Sequence, residues 1–454
     1  MLRLREPRCC CQTGTAKDAR SSEQIDEGVM ADLRTNFAGI RSPNPFWLAS
    51  APPTNTGDQV MRAFDAGWGG AVWKTLGAPI VNVSSRYGAI DAGAQRVLGL
   101  NNIELITDRP LEVNLREVTE VKKRYPNHAV IVSLMVETRR EAWHEIVKKS
   151  EDAGADGLEL NFGCPHGMSE RGMGAAVGQD PGYTCEIVGW VKEVARTPVI
   201  AKLTPNITDI RYAARAAKNG GADAVSLINT INSITGVDLD TFAPRPSVRG
   251  YSSHGGYCGP AVKPIALNMV TEIARDPATR NLPISGIGGI STWRDAAEFF
   301  VLGASSVQVC TAVMHYGYRI VEDLLDGLSN YLDEKGMKTL GELVGKSVDR
   351  VRHWEELDLS YKVVADINHE KCINCQICYT ACNDGAHQSI GLRPHNGSLP
   401  KPHILGDHCV GCNMCALVCP VPGCITMKEV DSGMPPMNWK QYLAAYGQPT
   451  GKIY

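Results

Sequence analysis

Between about residues 45 and 335, short apolar runs alternate with longer amphipathic segments. The runs have strand length: FWLAS (46–50), AVWKT (71–75), VIVSLM (130–135), GLELNF (157–162), VIAKL (199–203), AVSLIN (224–229), PISGI (283–287) and SVQVC (306–310). They are apolar on both faces, as strands buried in a parallel sheet are. The segments between them, such as 139–153 and 208–219, carry the apolar stripe of a helix. DAGWGGAVW, DAGADGLEL, NGGADAVSL and LGASSVQV repeat one shape, in which a helix stops at glycine, turns, and feeds a buried strand. Eight βα units over this length predict an α/β fold, a (β/α)8 TIM barrel. A doubly wound open sheet is the rival, and the strand number and the repeat favour the barrel.

The pattern weakens outside that region. Residues 1–29 are polar, with a Cys9–Cys11 run, and are expected to be a disordered N-terminal extension. The barrel is assigned 30–335, and the charged, irregular stretch 336–368 reads as a linker. A second domain is expected at 369–430 and a polar tail at 431–454. The chain has 454 residues, 43% hydrophobic and 21% charged, with a net charge of −3. That is a soluble globular composition. No long basic run points to nucleic acid or an anionic membrane, no apolar run reaches the ~20 residues of a membrane span, and no signal peptide is visible. A cytoplasmic location is the expectation.

Sixteen cysteines are spread unevenly, and nine of them fall between residues 372 and 424. CINCQICYTACN places Cys372, Cys375, Cys378 and Cys382 at x2-x2-x3 spacing, and CVGCNMCALVCP repeats it with Cys409, Cys412, Cys415 and Cys419 before Pro420. Two such runs signal two 4Fe–4S clusters, each run giving three ligands to one cluster and its fourth cysteine to the other. Cys372, Cys375, Cys378 and Cys419 should hold one cluster, and Cys409, Cys412, Cys415 and Cys382 the other. A pair of zinc sites is the alternative, but zinc requires no such doubled spacing. Asn383 replaces the proline that would follow the first run, a packing residue rather than a ligand. Cys424 lies outside the pattern and reads as a buried thiol. A ferredoxin-like module of this kind moves single electrons and needs a redox partner elsewhere.

Chemistry in such a barrel sits at the C-terminal strand ends. Those ends carry Ser50, Lys74, Thr75, Asn161, Lys202, Thr204, Asn229, Thr230, Cys310 and Thr311. Lys74 and Lys202 stand in apolar strands, where a single lysine could snorkel or be salt-bridged, but two at corresponding strand ends are better explained by a bound anionic or electron-rich cofactor. SGIGGIST (285–292) follows a strand and opens a helix, where backbone N–H groups bind phosphate. No G-x-G-x-x-G fingerprint is present, so a mononucleotide flavin, FMN, fits better than a dinucleotide.

ELNFGCPHGMSERGMG, AKLTPNITDI, LINTINSITG, GGYCGPAVKPIAL and PISGIGGI, together with the paired cysteine runs, resemble the dihydropyrimidine dehydrogenase family over about residues 30–430. The likeness is to the PreA-type subunit of the bacterial NAD-dependent enzyme. Dihydroorotate dehydrogenases share the barrel, the flavin and the Asn-x-x-Cys-Pro shape. The resemblance implies FMN contacts at Ser50, Lys74, Thr75, Lys202, Gly259, Ile287, Gly288, Gly289, Cys310 and Thr311. It implies that Asn102, Asn161, Asn229 and Thr230 hold the pyrimidine, since a carboxamide offers both donor and acceptor to an edge of alternating C=O and N–H. Alone, any one of these asparagines would read as a turn or cap residue. One position departs from the family pattern: Gly163 stands where serine is expected before the cysteine.

The activity implied is interconversion of uracil or thymine with the 5,6-dihydropyrimidine. Hydride leaves the flavin for C6, and Cys164, three residues past Asn161, gives C5 its proton as general acid. The glycines of HGMSERGMG suit a loop that closes over substrate. Electrons should enter from a partner subunit of the PreT type that binds FAD and NAD(H), pass the two clusters, and reach FMN within a hetero-oligomer. The rivals are a dihydroorotate dehydrogenase with a fused ferredoxin, an RNA dihydrouridine synthase, and a non-catalytic electron carrier. The synthase would need a basic surface, and the carrier would leave Cys164 and the asparagines without a purpose.

Overall fold

A computed structural model describes residues 31–395 and 397–448. The expectation for residues 1–29 lies outside them. Eight parallel strands close a barrel in sequence order. They are β1 (Phe46–Leu48), β2 (Gly70–Leu76), β3 (Ala129–Leu134), β4 (Gly157–Asn161), β5 (Val199–Lys202), β6 (Ala224–Leu227), β7 (Ile284–Ile287) and β8 (Ser306–Val309). Every residue in them is buried, because helices cover the outside and side chains fill the inside. The expected barrel and its eight strands are what the chain forms.

The repeated helix–glycine–strand shape has a backbone cause. Gly67, Gly154, Gly221 and Gly303 take φ of +115°, +98°, +97° and +109°, a left-handed turn that ends each helix and aims the chain at the next strand. Helix starts are equally local. Thr56 and Gln59 form a reciprocal cap on Gly57–Ala66, and Thr292 and Asp295 do so on Trp293–Val301.

The two ends of the barrel differ. A hairpin of Thr35–Phe37 and Ile40–Ser42 plugs the N-terminal end, where Phe37 and Ile40 pack on Trp47, Val72, Ile131 and Ile200. At the C-terminal end the connections after β2 and β6 are long. They build a four-stranded antiparallel sheet, ordered Ile231–Ser233, Gly255–Cys258, Gln95–Asn102, Tyr87–Ala92. This cap carries part of the site.

The stretch read as a linker does not stand apart. Leu340, Leu343 and Val348 are buried in the barrel's core, and the first compact unit runs to Asp349. Farther on, Lys362–Ile367 pairs with Ile425–Val430 across the second unit, which begins at Arg350. The second unit also has a hairpin of Ile390–His395 with Ser398–Ile404 and a helix at Ile377–Gly385. The segment read as a polar tail contains a helix, Trp439–Tyr446, whose Trp439 ring lies 5.8 Å from that of Trp354. Its aromatics at 439, 442 and 446 share one face, which gives the segment something to bury. No helix among the described residues is long and apolar enough to cross a membrane.

Candidate active site and cluster cages

A cleft of about 1180 Å³, including its open mouth, occupies the C-terminal end of the barrel. Ser50, Lys74, Thr75, Asn102, Asn161, Cys164, Lys202, Asn229, Thr230, Gly259, Ile287, Gly288, Gly289, Cys310 and Thr311 all line it. These come from most of the strands and from the cap, so only the closed barrel brings them together.

A polar ladder crosses the floor of the cleft. Ser50 and Thr75 hydroxyls meet at 3.1 Å, and Thr75 meets Ser133 at 2.9 Å. Asn161 Nδ2 donates to Thr75 Oγ1 at 3.0 Å, and Asn229 Nδ2 donates to Asn161 Oδ1 at 3.0 Å. Asn161 Oδ1 also accepts from the Gly163 amide at 3.2 Å, and Asn229 Oδ1 from the Thr230 amide at 2.8 Å. The two carboxamides are thus oriented by one another, and each keeps hydrogen-bonding capacity for a ligand. Asn102 is set by the cap, where its Nδ2 donates to the Gly256 carbonyl at 3.1 Å. Gly163 has a packing reason: a Cβ there would lie 2.3 Å from Asn229 Cβ and 2.5 Å from its Nδ2.

Both lysines are 5% exposed, and each has a carboxylate partner, so the salt-bridged reading holds for the protein by itself. Lys74 pairs with Glu104, a buried carboxylate that also accepts from the Tyr87 hydroxyl and lies 3.4 Å from Arg86. Burial and the Glu104 hydrogen bond push the Tyr87 phenol upward. Lys202 Nζ lies 3.4 Å from Glu159. Glu104 escaped the sequence reading. Its only signal was its place two residues past Asn102, on a connection whose sheet structure was not foreseen.

The glycines form a cradle. Gly259, Gly288 and Gly289 have φ of +92°, +130° and +74°, and a Cβ on Gly289 would come within 2.8 Å of Lys263 Cβ. At these three positions the cleft is lined by backbone without a side chain. Two buried cations, a glycine-paved edge and a row of hydroxyls are the donor set that an isoalloxazine and its phosphate require, so the residues fit FMN.

Cys164 is 9% exposed, on the cleft wall. Its thiol donates to the His166 carbonyl at 3.5 Å, and burial pushes its pKa up to about 11. The loop beyond wraps back over it. Met168 is buried with it beside Ile106 and Met135, and the Ala175 amide donates to the Cys164 carbonyl at 3.0 Å. The buried His166 places Nε2 3.1 Å from the Glu104 carbonyl, and burial lowers its pKa. Burial thus favours the neutral thiol over the thiolate, in the cleft that Asn161 and Asn229 also line.

In the second unit, Cys372, Cys375, Cys378 and Cys419 line one cavity and Cys382, Cys409, Cys412 and Cys415 another. The fourth cysteine of each run therefore lies with the other run. Asn374, Gln376, Gly411 and Asn413, all at positive φ, wind the loops round the cavities. Among the described residues no three His, Cys, Asp or Glu side chains converge at the spacing of a single ion. Cavities each walled by the four cysteines of the crossed pattern suit a cubane better than a zinc ion. Cys424 is buried in the wall of the first cavity.

The profile of the dihydroorotate dehydrogenase family matches residues 32–332, and that of the 4Fe–4S dicluster domain matches 365–427. The chain is 44% identical over 400 residues to the NAD-dependent dihydropyrimidine dehydrogenase subunit PreA of Escherichia coli K12, covering 88% of this chain and 96% of that one. It is 44% identical over 328 residues to a chloroplastic dihydropyrimidine dehydrogenase (NADP(+)) of Arabidopsis thaliana, covering 70% and 77%. It is 39% identical over 321 residues to the catalytic subunit of dihydroorotate dehydrogenase B (NAD(+)) of Pyrococcus abyssi, covering 69% and 98%.

Proposed function

Because the chain belongs to the dihydropyrimidine dehydrogenase family, with a barrel of dihydroorotate dehydrogenase type, we propose that it is the catalytic subunit of an NAD-dependent dihydropyrimidine dehydrogenase. It interconverts uracil or thymine with the 5,6-dihydro compound in the cytoplasm. FMN, when bound in the cleft, supplies the hydride chemistry and links it to one-electron carriers. Ser50, Lys74, Thr75, Lys202, Gly259, Ile287, Gly288, Gly289, Cys310 and Thr311 hold it. Asn102, Asn161, Asn229 and Thr230 hold the pyrimidine edge, and their mutual hydrogen bonds pre-set the two central carboxamides.

Cys164 holds the proton that C5 receives in reduction and accepts it in the reverse direction. The observation that carries this reading is a buried thiol, its pKa pushed up to about 11, on the same cleft wall as the linked asparagines. A group that must donate at neutral pH has to be protonated there.

The two cysteine cages are read as 4Fe–4S sites that deliver electrons from a partner subunit carrying FAD and NAD(H). The E. coli relative is itself called a subunit and NAD-dependent. The test is anaerobic turnover by the purified chain. Uracil should be reduced with an artificial one-electron donor and not with NADH alone. NADH oxidation by the isolated chain removes the need for a partner, and turnover of orotate in place of uracil assigns the site to the dihydroorotate reaction.

A further inference from the structure

The barrel interior contains a carboxylate that the proposed reaction does not use. Glu159, on β4, is 0% exposed and level with Ser133 on β3 and Ile200 on β5. Barrel interiors are ordinarily packed with branched apolar side chains, and an ion placed there is costly unless it is paired. The two oxygens of Glu159 are treated differently. Oε2 accepts from Ser226 Oγ at 2.8 Å and from Gln308 Nε2 at 2.9 Å. Oε1 is buried without a hydrogen bond, and Lys202 Nζ lies 3.4 Å from it. Two neutral donors thus fix the carboxylate while its other oxygen faces the ammonium. The strand register adds a direction. Asn161, two residues along the same face of β4, is level with Lys202 on β5, and Ser226 on β6 is level with Lys202 from the other side. Glu159 therefore lies one layer beneath both a ring-holding asparagine and a cleft-lining lysine.

We propose that Glu159 is a positioning residue for Lys202: it fixes and compensates the ammonium at the floor of the cleft, and through it sets how readily a flavin bound there takes up electrons. The inference rests on the flavin reading above. Lys74 is compensated from the cap by Glu104, whereas Lys202 is compensated from within the barrel, so the two lysines answer to separately mutable carboxylates.

The experiment is a cycle of four holoproteins: wild type, E159Q, K202M and the double variant, each titrated anaerobically while flavin absorbance is followed. Gln keeps the shape and the contacts to Ser226 and Gln308 but leaves the ammonium without its counter-charge. E159Q should shift the flavin midpoint potential to a more positive value, and that shift should vanish in the K202M background. E159D, which restores the charge, should return toward wild type. No shift, or an equal shift in both backgrounds, overturns the proposal, because a merely structural role would not depend on Lys202. If E159Q fails to retain flavin, retention regained in the double variant supports the pairing, and loss in both overturns it. Wild-type protein without flavin absorbance would instead refute the flavin reading itself.

Discussion

The proton at Cys164 is governed by burial. An exposed thiol titrates near ~8.5, whereas this one is displaced upward to about 11 because the thiolate would be stranded among Ile106, Met135 and Met168. In the proposed reaction, reduction uses the protonated form. Raising the pKa therefore retains activity at every pH below it and removes activity only as pH climbs through it. The kcat/KM profile for uracil reduction should show no thiol-dependent alkaline limb near ~8.5, and a limb there would contradict the assignment. Cys164→Ala should keep flavin, iron and fold but lose about 10²–10⁴-fold in turnover, and single-turnover kinetics within a few-fold of wild type would exclude the role. Gly163 makes a separate prediction. Serine there must displace Asn229, whose Cβ lies 2.3 Å from the built Cβ. Losing one oriented hydrogen bond costs about 1 kcal/mol, so Gly163→Ser should lower kcat/KM for uracil by roughly fivefold or more; an unchanged value would mean that Asn229 can move freely. At this scale the sequence was partly legible. Cys164, the asparagines and the lysines stood at strand ends in a readable pattern. Glu104 did not, because its partnership with Lys74 spans the cap and the barrel and leaves no periodic trace.

The elements differ in legibility for a physical reason. Barrel strands are covered on both faces and read as unbroken apolar runs, so all eight were visible. The cap strands, such as YGAIDA and QRVLGLNN, mix glycine, charge and short apolar stretches, and Tyr87–Ala92 is largely exposed. No alternation survives to signal them. The helix Trp439–Tyr446 was hidden by the polar residues around it. In the second unit the informative feature is the crossing of the cysteine runs. If each cavity is one cluster, Cys382→Ser and Cys412→Ser should perturb the same paramagnetic signal of the reduced protein, and Cys419→Ser and Cys375→Ser the other. Spectra that instead couple Cys382 with Cys375 would assign each run to its own cluster.

The whole molecule combines a barrel of dihydroorotate dehydrogenase type with a 4Fe–4S dicluster module in one chain, and the proposed reaction uses both. A two-electron reduction of a carbon–carbon double bond fed by one-electron carriers would use such a pairing. The most direct test of the account is anaerobic absorbance spectroscopy of the purified chain titrated with dihydrouracil and, separately, with dihydroorotate. The account predicts a flavin band that bleaches with dihydrouracil, together with the broad cluster absorbance, and stays unchanged with dihydroorotate. Bleaching by dihydroorotate alone, or protein that carries no flavin, would contradict it.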